Sequence, residues 1–163
     1  MEKWRVLSHK LHAEGGDTFL LERTSPESLR LAYEAGRGVI IEMRGQIVAC
    51  GFLWTTDDPT ILEPGTLWVD PVHRDKGLSS TVAHLRLQLI PAGTRCFIIS
   101  HEDKVAHLAE KGGFVEADAA TWFAHIPDEY SCGPCDRVPY SEKAACPLRG
   151  VKAQCRLFVR TGS

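Results

Sequence analysis

The sequence predicts a mixed α/β fold, with one central sheet and helices on both of its faces. Short β-rich runs alternate along the chain with segments whose apolar residues recur at helical spacing. One continuous apolar run, Cys96–Ile99, has the composition of a strand that is covered on both sides. The length of 163 residues fits a single domain, and we expect that domain to span 1–163.

The first part of the chain predicts one clear helix. Residues 1–24 are mixed in character, and Thr18–Leu21 is a weak strand signal. Ser25 can cap free backbone N–H groups and Pro26 suits the first helical position, so a helix is expected to begin there. Gly36 is expected to end it.

A β-hairpin and a further strand follow. Gly38–Arg44 and Ile47–Trp54 are β-rich and flank the short turn Gly45–Gln46. A loop is expected over 57–65, because this stretch contains Asp-Asp-Pro and Pro-Gly. Thr66–Val69 is the next predicted strand.

The second half of the chain continues the alternation. Leu78, Val82, Leu85 and Leu89 have helical spacing and predict a helix over 78–89. A second helix is predicted over 102–111, after the strand Cys96–Ile99. Thr121–Ile126 and Arg156–Arg160 are the two final predicted strands.

Composition and charge disfavour several classes of function. The formal net charge is -2 and no long basic run is present, so a general attraction to nucleic acid or to an anionic membrane is not expected. No stretch reaches the roughly 18 apolar residues of a membrane span. The charged first residues lack the apolar run of a signal peptide, and a cytoplasmic protein is therefore expected.

One segment has the chemistry of a phosphate site. A predicted strand leads into Arg74-Asp75-Lys76-Gly77-Leu78-Ser79-Ser80, which opens a helix. The first turn of a helix has N–H groups without partners and a positive dipole end. Gly77 permits close approach of a ligand, the serines add small donors, and Arg74 and Lys76 add positive charge, which together suit a diphosphate. An ordinary helix start has the same pattern, so the segment alone is only moderately specific.

The same residues resemble the acetyl-CoA signature of the GNAT superfamily, Gln/Arg-x-x-Gly-x-Gly/Ala, which stands here as Arg74-Asp75-Lys76-Gly77-Leu78-Ser79. The likeness extends upstream to Leu67-Trp68-Val69-Asp70-Pro71. It extends downstream to Leu108-Ala109-Glu110-Lys111-Gly112-Gly113-Phe114, which is similar to the Leu-Tyr-Glu-Lys-x-Gly-Phe helix end of that family. Residues 37 to about 126 follow the family in order and spacing.

The resemblance implies a GNAT fold that binds acetyl-CoA and transfers its acetyl group to a primary amine. It implies that the strand carrying 67–69 splays from a parallel neighbour at 96–99, and that an N–H near Val69 polarises the thioester carbonyl. It also implies that the backbone of 75–80 binds the CoA pyrophosphate while the pantetheine arm lies beside 67–69. The resemblance therefore implies ten cofactor-binding residues: Leu67, Trp68, Val69, Arg74, Asp75, Lys76, Gly77, Leu78, Ser79 and Ser80.

Three positions depart from the family pattern. Ser79 replaces Gly or Ala where the backbone must approach phosphate, and Glu102 stands where Asn is frequent. Ala109 stands where the family usually has the Tyr that protonates the leaving thiolate, so the resemblance supplies no general acid.

The general base has two main candidates. The attacking amine must be uncharged, so a side chain or a water chain has to take its proton. His101 is the first choice because an imidazole titrates near neutral pH, with a solvent-exposed helix cap as the alternative role. Glu63, just before the strand, is the second, whereas Asp70 before Pro71 is more typical of a turn.

Four of the six cysteines lie in the last 32 residues. Cys132, Cys135, Cys146 and Cys155 are predicted to hold a structural Zn²⁺ in a Cys-rich insertion at 127–155, with His125 as an alternative fourth ligand. Free or disulfide-forming cysteines are a second interpretation. Cys132-Gly133-Pro134-Cys135 is identical to the thioredoxin active-site tetrapeptide, but Pro139 would interrupt the helix that this motif requires.

Two functions from different classes therefore stand. The leading one is an acetyl-CoA-dependent N-acetyltransferase that acts on a small-molecule or protein amine. The alternative, motivated by Ala109 and the cysteines, is a catalytically silent CoA-binding or zinc-braced interaction module. A nucleic-acid-binding zinc ribbon is disfavoured by the acidic balance. The sequence does not identify the acceptor, and it leaves the oligomeric state open, with a homodimer as one option.

Overall fold

The structure, a computed structural model, describes residues 1–15, 21–100, 103–117, 131–132, 135–139 and 156–162. The helices are α1 Glu2–Gly15, α2 Leu21–Thr24, α3 Pro26–Glu34, α4 Leu78–Leu87 and α5 Asp103–Lys111. The strands are β1 Gly38–Met43, β2 Gln46–Thr55, β3 Ile61–Val69, β4 Arg95–Ser100, β5 Val115–Ala117, β6 Ser131–Cys132, β7 Cys135–Pro139 and β8 Arg156–Thr161. For β6 and β7 only the backbone is described.

Six strands form one mixed sheet in the order β1-β2-β3-β4-β8-β5, and β6 pairs with β7 separately. The pairs β1–β2, β4–β8 and β5–β8 are antiparallel. β3 and β4 are parallel, and Ile61 pairs with Arg95 while Leu62 pairs with Cys96. The predicted mixed α/β class is confirmed, and the splay of the parallel pair stays a prediction.

Close backbone contacts group the chain into two units. The first consists of Met1–Trp54 and Pro64–Ile90, and the second of Thr55–Glu63 and Pro91–Ser163. β3 contributes its first three residues to the second unit and the rest to the first. The single domain 1–163 therefore stays a prediction.

Helices cover both faces of the strands in the first unit. Leu11 of α1 and Leu29 of α3 belong to one apolar cluster together with Trp68 of β3. Val82 of α4 packs instead in a second cluster with Val69, the next residue of β3. Successive side chains of a strand point to opposite faces, so α4 lies across the sheet from α1 and α3. Burying each large apolar side chain stabilises this arrangement by about 1.5–3 kcal/mol.

Helix α1 lies within residues 1–24, for which the sequence predicted no helix. Trp4, Leu7 and Leu11 recur at helical spacing and are buried, but charged and histidine residues between them weaken the apolar pattern. The weak strand signal at Thr18–Leu21 is wrong for Leu21, which begins α2, and its other residues lie outside the described ones. Among the described helices, α1 with 14 residues is the longest, and none has the length and apolarity that a membrane crossing requires.

Other boundaries are confirmed or corrected. The Ser25 hydroxyl accepts a hydrogen bond from the Ser28 N–H at 3.1 Å, so the predicted helix cap is confirmed. The hairpin is also confirmed, but its turn residues are Arg44 and Gly45, both with positive φ, rather than Gly45–Gln46. The predicted strand Thr121–Ile126 lies outside the described residues.

Strand β3 begins earlier than the sequence indicates. Residues 61–65, predicted as loop, belong to it, and Pro64 and Gly65 are within the strand. Both are strand breakers in sequence, but proline and glycine are tolerated where a strand is irregular. Such an irregularity follows at once, because Thr66 has a φ of 47°.

Candidate functional site

Residues 70–77 connect β3 to α4 and begin firmly attached to the sheet. The Asp70 N–H donates to the Val48 carbonyl of β2 at 2.9 Å. The Asp70 carboxylate then accepts the Val72 N–H at 3.2 Å and caps a single 3₁₀ turn, Pro71–His73. The first half of the connection is therefore fixed by hydrogen bonds of the Asp70 backbone and carboxylate, which a short Asp-Pro turn readily forms.

The second half of the connection presents its backbone N–H groups to solvent. Gly77 precedes α4 with a φ of 76°, and no side chain caps the helix. Within the described part of the chain, the N–H groups of 75–80 donate no hydrogen bond. A Cβ at Gly77 would find no atom within 4 Å, so the space in front of the helix is open. Free N–H groups and the positive end of the helix dipole suit an anion here.

The two predicted cations of this segment differ in environment. Arg74 turns back toward β3, where its Nε donates to the Val69 carbonyl at 3.1 Å and its guanidinium pairs with Glu14 of α1. Lys76 is exposed, and its ammonium lies 3.4 Å from the Val72 carbonyl. In this structure Arg74 therefore braces the end of β3, while Lys76 stays accessible.

A second ion pair joins α1 to the same connection. The Lys10 ammonium donates to the Asp70 carboxylate at 2.6 Å, and both side chains are largely buried. This hydrogen bond holds the pKa of Asp70 below its usual value, with smaller help from the Val72 N–H. Asp70 is therefore ionised and occupied, which favours an anchoring role over proton transfer.

The predicted pantetheine strand has an unusual backbone just before Leu67. Thr66 has a left-handed φ of 47°, and its hydroxyl accepts the Trp54 indole N–H at 3.0 Å. Its carbonyl accepts the Cys50 thiol at 3.8 Å. Burial raises the pKa of Cys50 to about 12, so this thiol stays neutral and cannot serve as a thiolate nucleophile.

Sequence reasoning missed two contributors, Lys10 and Arg86. Lys10 contacts a residue 60 positions away, which no local pattern signals. Arg86 is buried on α4, and nothing in its local sequence indicates this burial. The helix that the spacing of Leu85 and Leu89 predicted is present, but these two leucines are exposed, while Ala83, Arg86 and Ile90 are buried.

The predicted proton-transfer groups are only partly described. Glu63 is half-buried on β3 and belongs to the second unit, whereas His101 and Glu102 lie outside the described residues. Ala109 lies on α5 with 2% of its surface exposed, so its methyl group packs inside the second unit. The catalytic assignments of His101 and Glu63 stay predictions.

The predicted zinc ligands also fall largely outside the described chain. Cys146, Cys155 and His125 are not described, and for Cys132 and Cys135 only the paired backbone of β6 and β7 is. Among the described residues, no three His, Cys, Asp or Glu side chains are placed to hold a metal ion. The zinc site therefore stays a prediction.

Comparison with known proteins identifies the fold. No protein-family model matches the sequence, and no curated protein matches it either. Solved structures do match. A GNAT-family acetyltransferase from Bacillus cereus ATCC 10987 has a TM-score of 0.58 at 13% identity, with 100% of this chain and 93% of that chain covered. The chain has the fold of the GNAT acetyltransferases.

Two further matches are enzymes solved with coenzyme A. Diaminobutyrate acetyltransferase from Paenibacillus lautus, in complex with L-2,4-diaminobutyric acid, has a TM-score of 0.57 at 16% identity and covers 99% of this chain and 89% of its own. N-acetylglutamate synthase from Neisseria gonorrhoeae, in complex with N-acetyl-glutamate, has a TM-score of 0.56 at 22% identity. The match covers 100% of this chain but spans only 33% of the synthase.

Proposed function

We propose that this chain is an acetyl-CoA-dependent N-acetyltransferase that acts on a primary amine. The observation that carries the proposal is the start of α4, where the N–H groups of 75–80 are free and Gly77 leaves open space before them. A diphosphate has enough oxygens to accept several of these donors at once, and its charge is favoured by the helix dipole. On a GNAT fold, this is the expected location of the CoA pyrophosphate.

The backbone of β3 supports the predicted place of the pantetheine arm. The Thr66 carbonyl accepts the Cys50 thiol of β2 at 3.8 Å, and the Asp70 N–H donates to the Val48 carbonyl of β2 at 2.9 Å, so both groups are on the side of β3 that faces β2. Alternate peptide groups of a strand face opposite edges, so we expect those of Leu67 and Val69 to face away from β2. An extended pantetheine arm carries amide groups that could pair with them.

The transfer itself needs few protein groups. The amine nitrogen attacks the thioester carbonyl carbon, and the resulting oxyanion is stabilised by the N–H near Val69. The C–S bond then breaks and CoA departs as a thiolate, while the amine nitrogen loses a proton to His101, Glu63 or water. Since a thiol has a pKa of about 8.5, the thiolate can take its proton from solvent, which makes Ala109 compatible with turnover.

A catalytically silent CoA-binding module is the second candidate. It is favoured by the burial of Ala109, because nothing at that position can donate a proton. A silent module would bind CoA through the same 75–80 backbone and differ only in lacking turnover.

Two measurements on the wild-type protein separate these functions. Acetyl-CoA at about 100 times its Kd should raise the stability by about 2.7 kcal/mol, and hence Tm by about 5–10 °C. Release of CoA thiol is then followed with an amine panel of L-glutamate, L-2,4-diaminobutyrate, spermidine and a peptide with a free N-terminus. The first two are chosen because the solved relatives hold glutamate-type and diaminobutyrate ligands.

The outcomes differ clearly. A Tm rise with thiol release supports the transferase, and a Tm rise without it for any amine supports the silent module. No Tm rise at millimolar acetyl-CoA contradicts both.

We also propose that the four late cysteines bind one structural zinc. The support is their spacing, in which a Cys-x-x-Cys pair is followed by two further cysteines. Metal analysis after purification under reducing conditions should give one zinc per chain, and Cys132→Ser should remove it. A metal-free wild type would contradict the proposal.

A further inference from the structure

Helix α4 carries a buried arginine, Arg86, that has no role in the reaction steps proposed above. Arg86 is 4% exposed, and its Nη1 donates to the Gly65 carbonyl of β3 at 2.8 Å. Its side-chain stem crosses β2 at Gly51, where an added Cβ would lie 3.3 Å from the Arg86 Cδ. Gly51 therefore leaves room for the arginine to reach β3.

The carbonyl that Arg86 binds belongs to a kink in β3. Thr66, the next residue, has a φ of 47°, a left-handed conformation that β-branched residues avoid. Its surroundings must therefore hold it there, and the indole of Trp54 supplies one hydrogen bond at 3.0 Å. Arg86 supplies another on the residue before it.

The kink determines how the following residues are presented. A left-handed residue redirects the strand, so the orientation of the peptide groups at Leu67 and Val69 depends on the geometry at Thr66. Arg86 stands eight residues after Leu78, about 12 Å along the same helix. One rigid helix thus carries both the predicted pyrophosphate end and the donor that fixes the strand.

We propose that Arg86 is a positioning residue that holds the kink at Gly65–Thr66 and thereby aligns the backbone of Leu67–Val69 with the acyl group. This inference rests on the proposed function. Burying a guanidinium among apolar residues is costly, and an apolar side chain would serve as well if position 86 only filled space. The carbonyl that it binds lies directly before the predicted reaction strand, which gives the arginine a specific role.

The test compares Arg86→Met with wild type and with Arg30→Met. Methionine keeps much of the stem and removes the donors, and Arg30 provides the same chemical change on α3, where it pairs with Glu27 and Glu34. Acetyl-CoA turnover is measured by thiol release with the amine panel above. R86M should lower kcat by about 10–100-fold, because a small misplacement of reacting groups has that effect. The Kd for CoA should rise by a smaller factor than kcat falls, because the first turn of α4 is untouched and only the pairing of the pantetheine arm with Leu67 and Val69 is disturbed.

A double-mutant cycle distinguishes the kink from general packing. Glycine adopts a left-handed φ freely, so Thr66→Gly should make the kink depend less on Arg86. R86M should then lower kcat by a smaller factor in the T66G background than in wild type. Equal factors in both backgrounds would contradict the inference. If R86M does not fold, Thr66→Val decides: it removes the hydroxyl that accepts from Trp54, and an unchanged kcat would overturn the role of the kink.

Backbone amide resonances give a readout that is independent of activity. R86M should shift those of Leu67–Val69 and leave those of 78–80 unchanged. A wild type without turnover contradicts the proposed function. An active wild type with an equally active, folded R86M contradicts the role of Arg86 alone.

Discussion

Two glycines of the first unit form a matched pair for testing the cofactor loop. Gly77 precedes α4 with a φ of 76°, and Gly45 lies in the β1–β2 turn with a φ of 77°. An added Cβ at either position has no atom within 4 Å. Alanine therefore meets the same backbone strain and the same absence of a steric clash at both positions.

The expected loss of stability is the same for the two alanine variants. A left-handed alanine costs about 1–2 kcal/mol, and a less flexible unfolded chain offsets part of this, which leaves about 1 kcal/mol. For a chain of this length, Tm should fall by about 2–4 °C. Thermal melts of G77A and G45A measure this directly.

The expected effect on CoA binding differs sharply. The methyl group in G77A occupies the open space from which a phosphate must approach the N–H groups of 75–80. Loss of one charge-assisted hydrogen bond, worth about 1.5–3 kcal/mol, would weaken CoA binding about 10–100-fold. G45A should bind CoA like wild type. Calorimetric titration of CoA that gave G77A and G45A the same Kd would refute the assignment of this loop.

Three further substitutions test the surroundings of the site. Lys10→Met should lower stability near neutral pH by about 1.5–3 kcal/mol, because it leaves the largely buried Asp70 carboxylate without its partner. Because the pKa of Asp70 is lower in the folded protein, the pair with Lys10 stabilises the fold at pH values above the unfolded-state pKa of about 3.9. This stabilisation is lost as pH falls through the folded-state pKa, so melts of K10M and wild type should converge in acid. Glu14→Gln should tighten CoA binding about 2-fold at low salt by removing a carboxylate beside the loop, whereas Glu34→Gln on α3 should leave it unchanged. The same Kd for CoA in E14Q and E34Q, measured by calorimetric titration, would contradict this. Ala109→Tyr should lower Tm rather than raise turnover, because a ring at this buried position overpacks the second unit; a faster, equally stable variant would show that the site accepts the acid.

Features with a local cause were predictable from the sequence. The Ser25 cap needs only a hydroxyl and the N–H three residues later, and the hairpin needs only two β-rich runs around a glycine turn. The open helix start at Gly77 is also local, since it depends on one glycine and the residues beside it. These features are present in the structure.

Features that depend on tertiary contacts were not predictable in the same way. The pair of Lys10 with Asp70 joins positions 60 residues apart, and α1 was missed because its apolar residues are diluted by polar ones. The buried face of α4 includes Arg86 in place of Leu85, since the side that faces the sheet is decided by where β2 offers Gly51 as space. Apolar spacing alone could not indicate this.

The central claim is that the backbone N–H groups of 75–80 bind the diphosphate of CoA. Amide chemical shifts of ¹⁵N-labelled protein, followed during a titration with CoA and in parallel with pantetheine, test it most directly. We expect the largest CoA-induced shifts at residues 75–80, and we expect pantetheine, which lacks the diphosphate, to leave them nearly unchanged. Saturable CoA binding whose largest shifts lie elsewhere in the chain, or no binding, would contradict the claim.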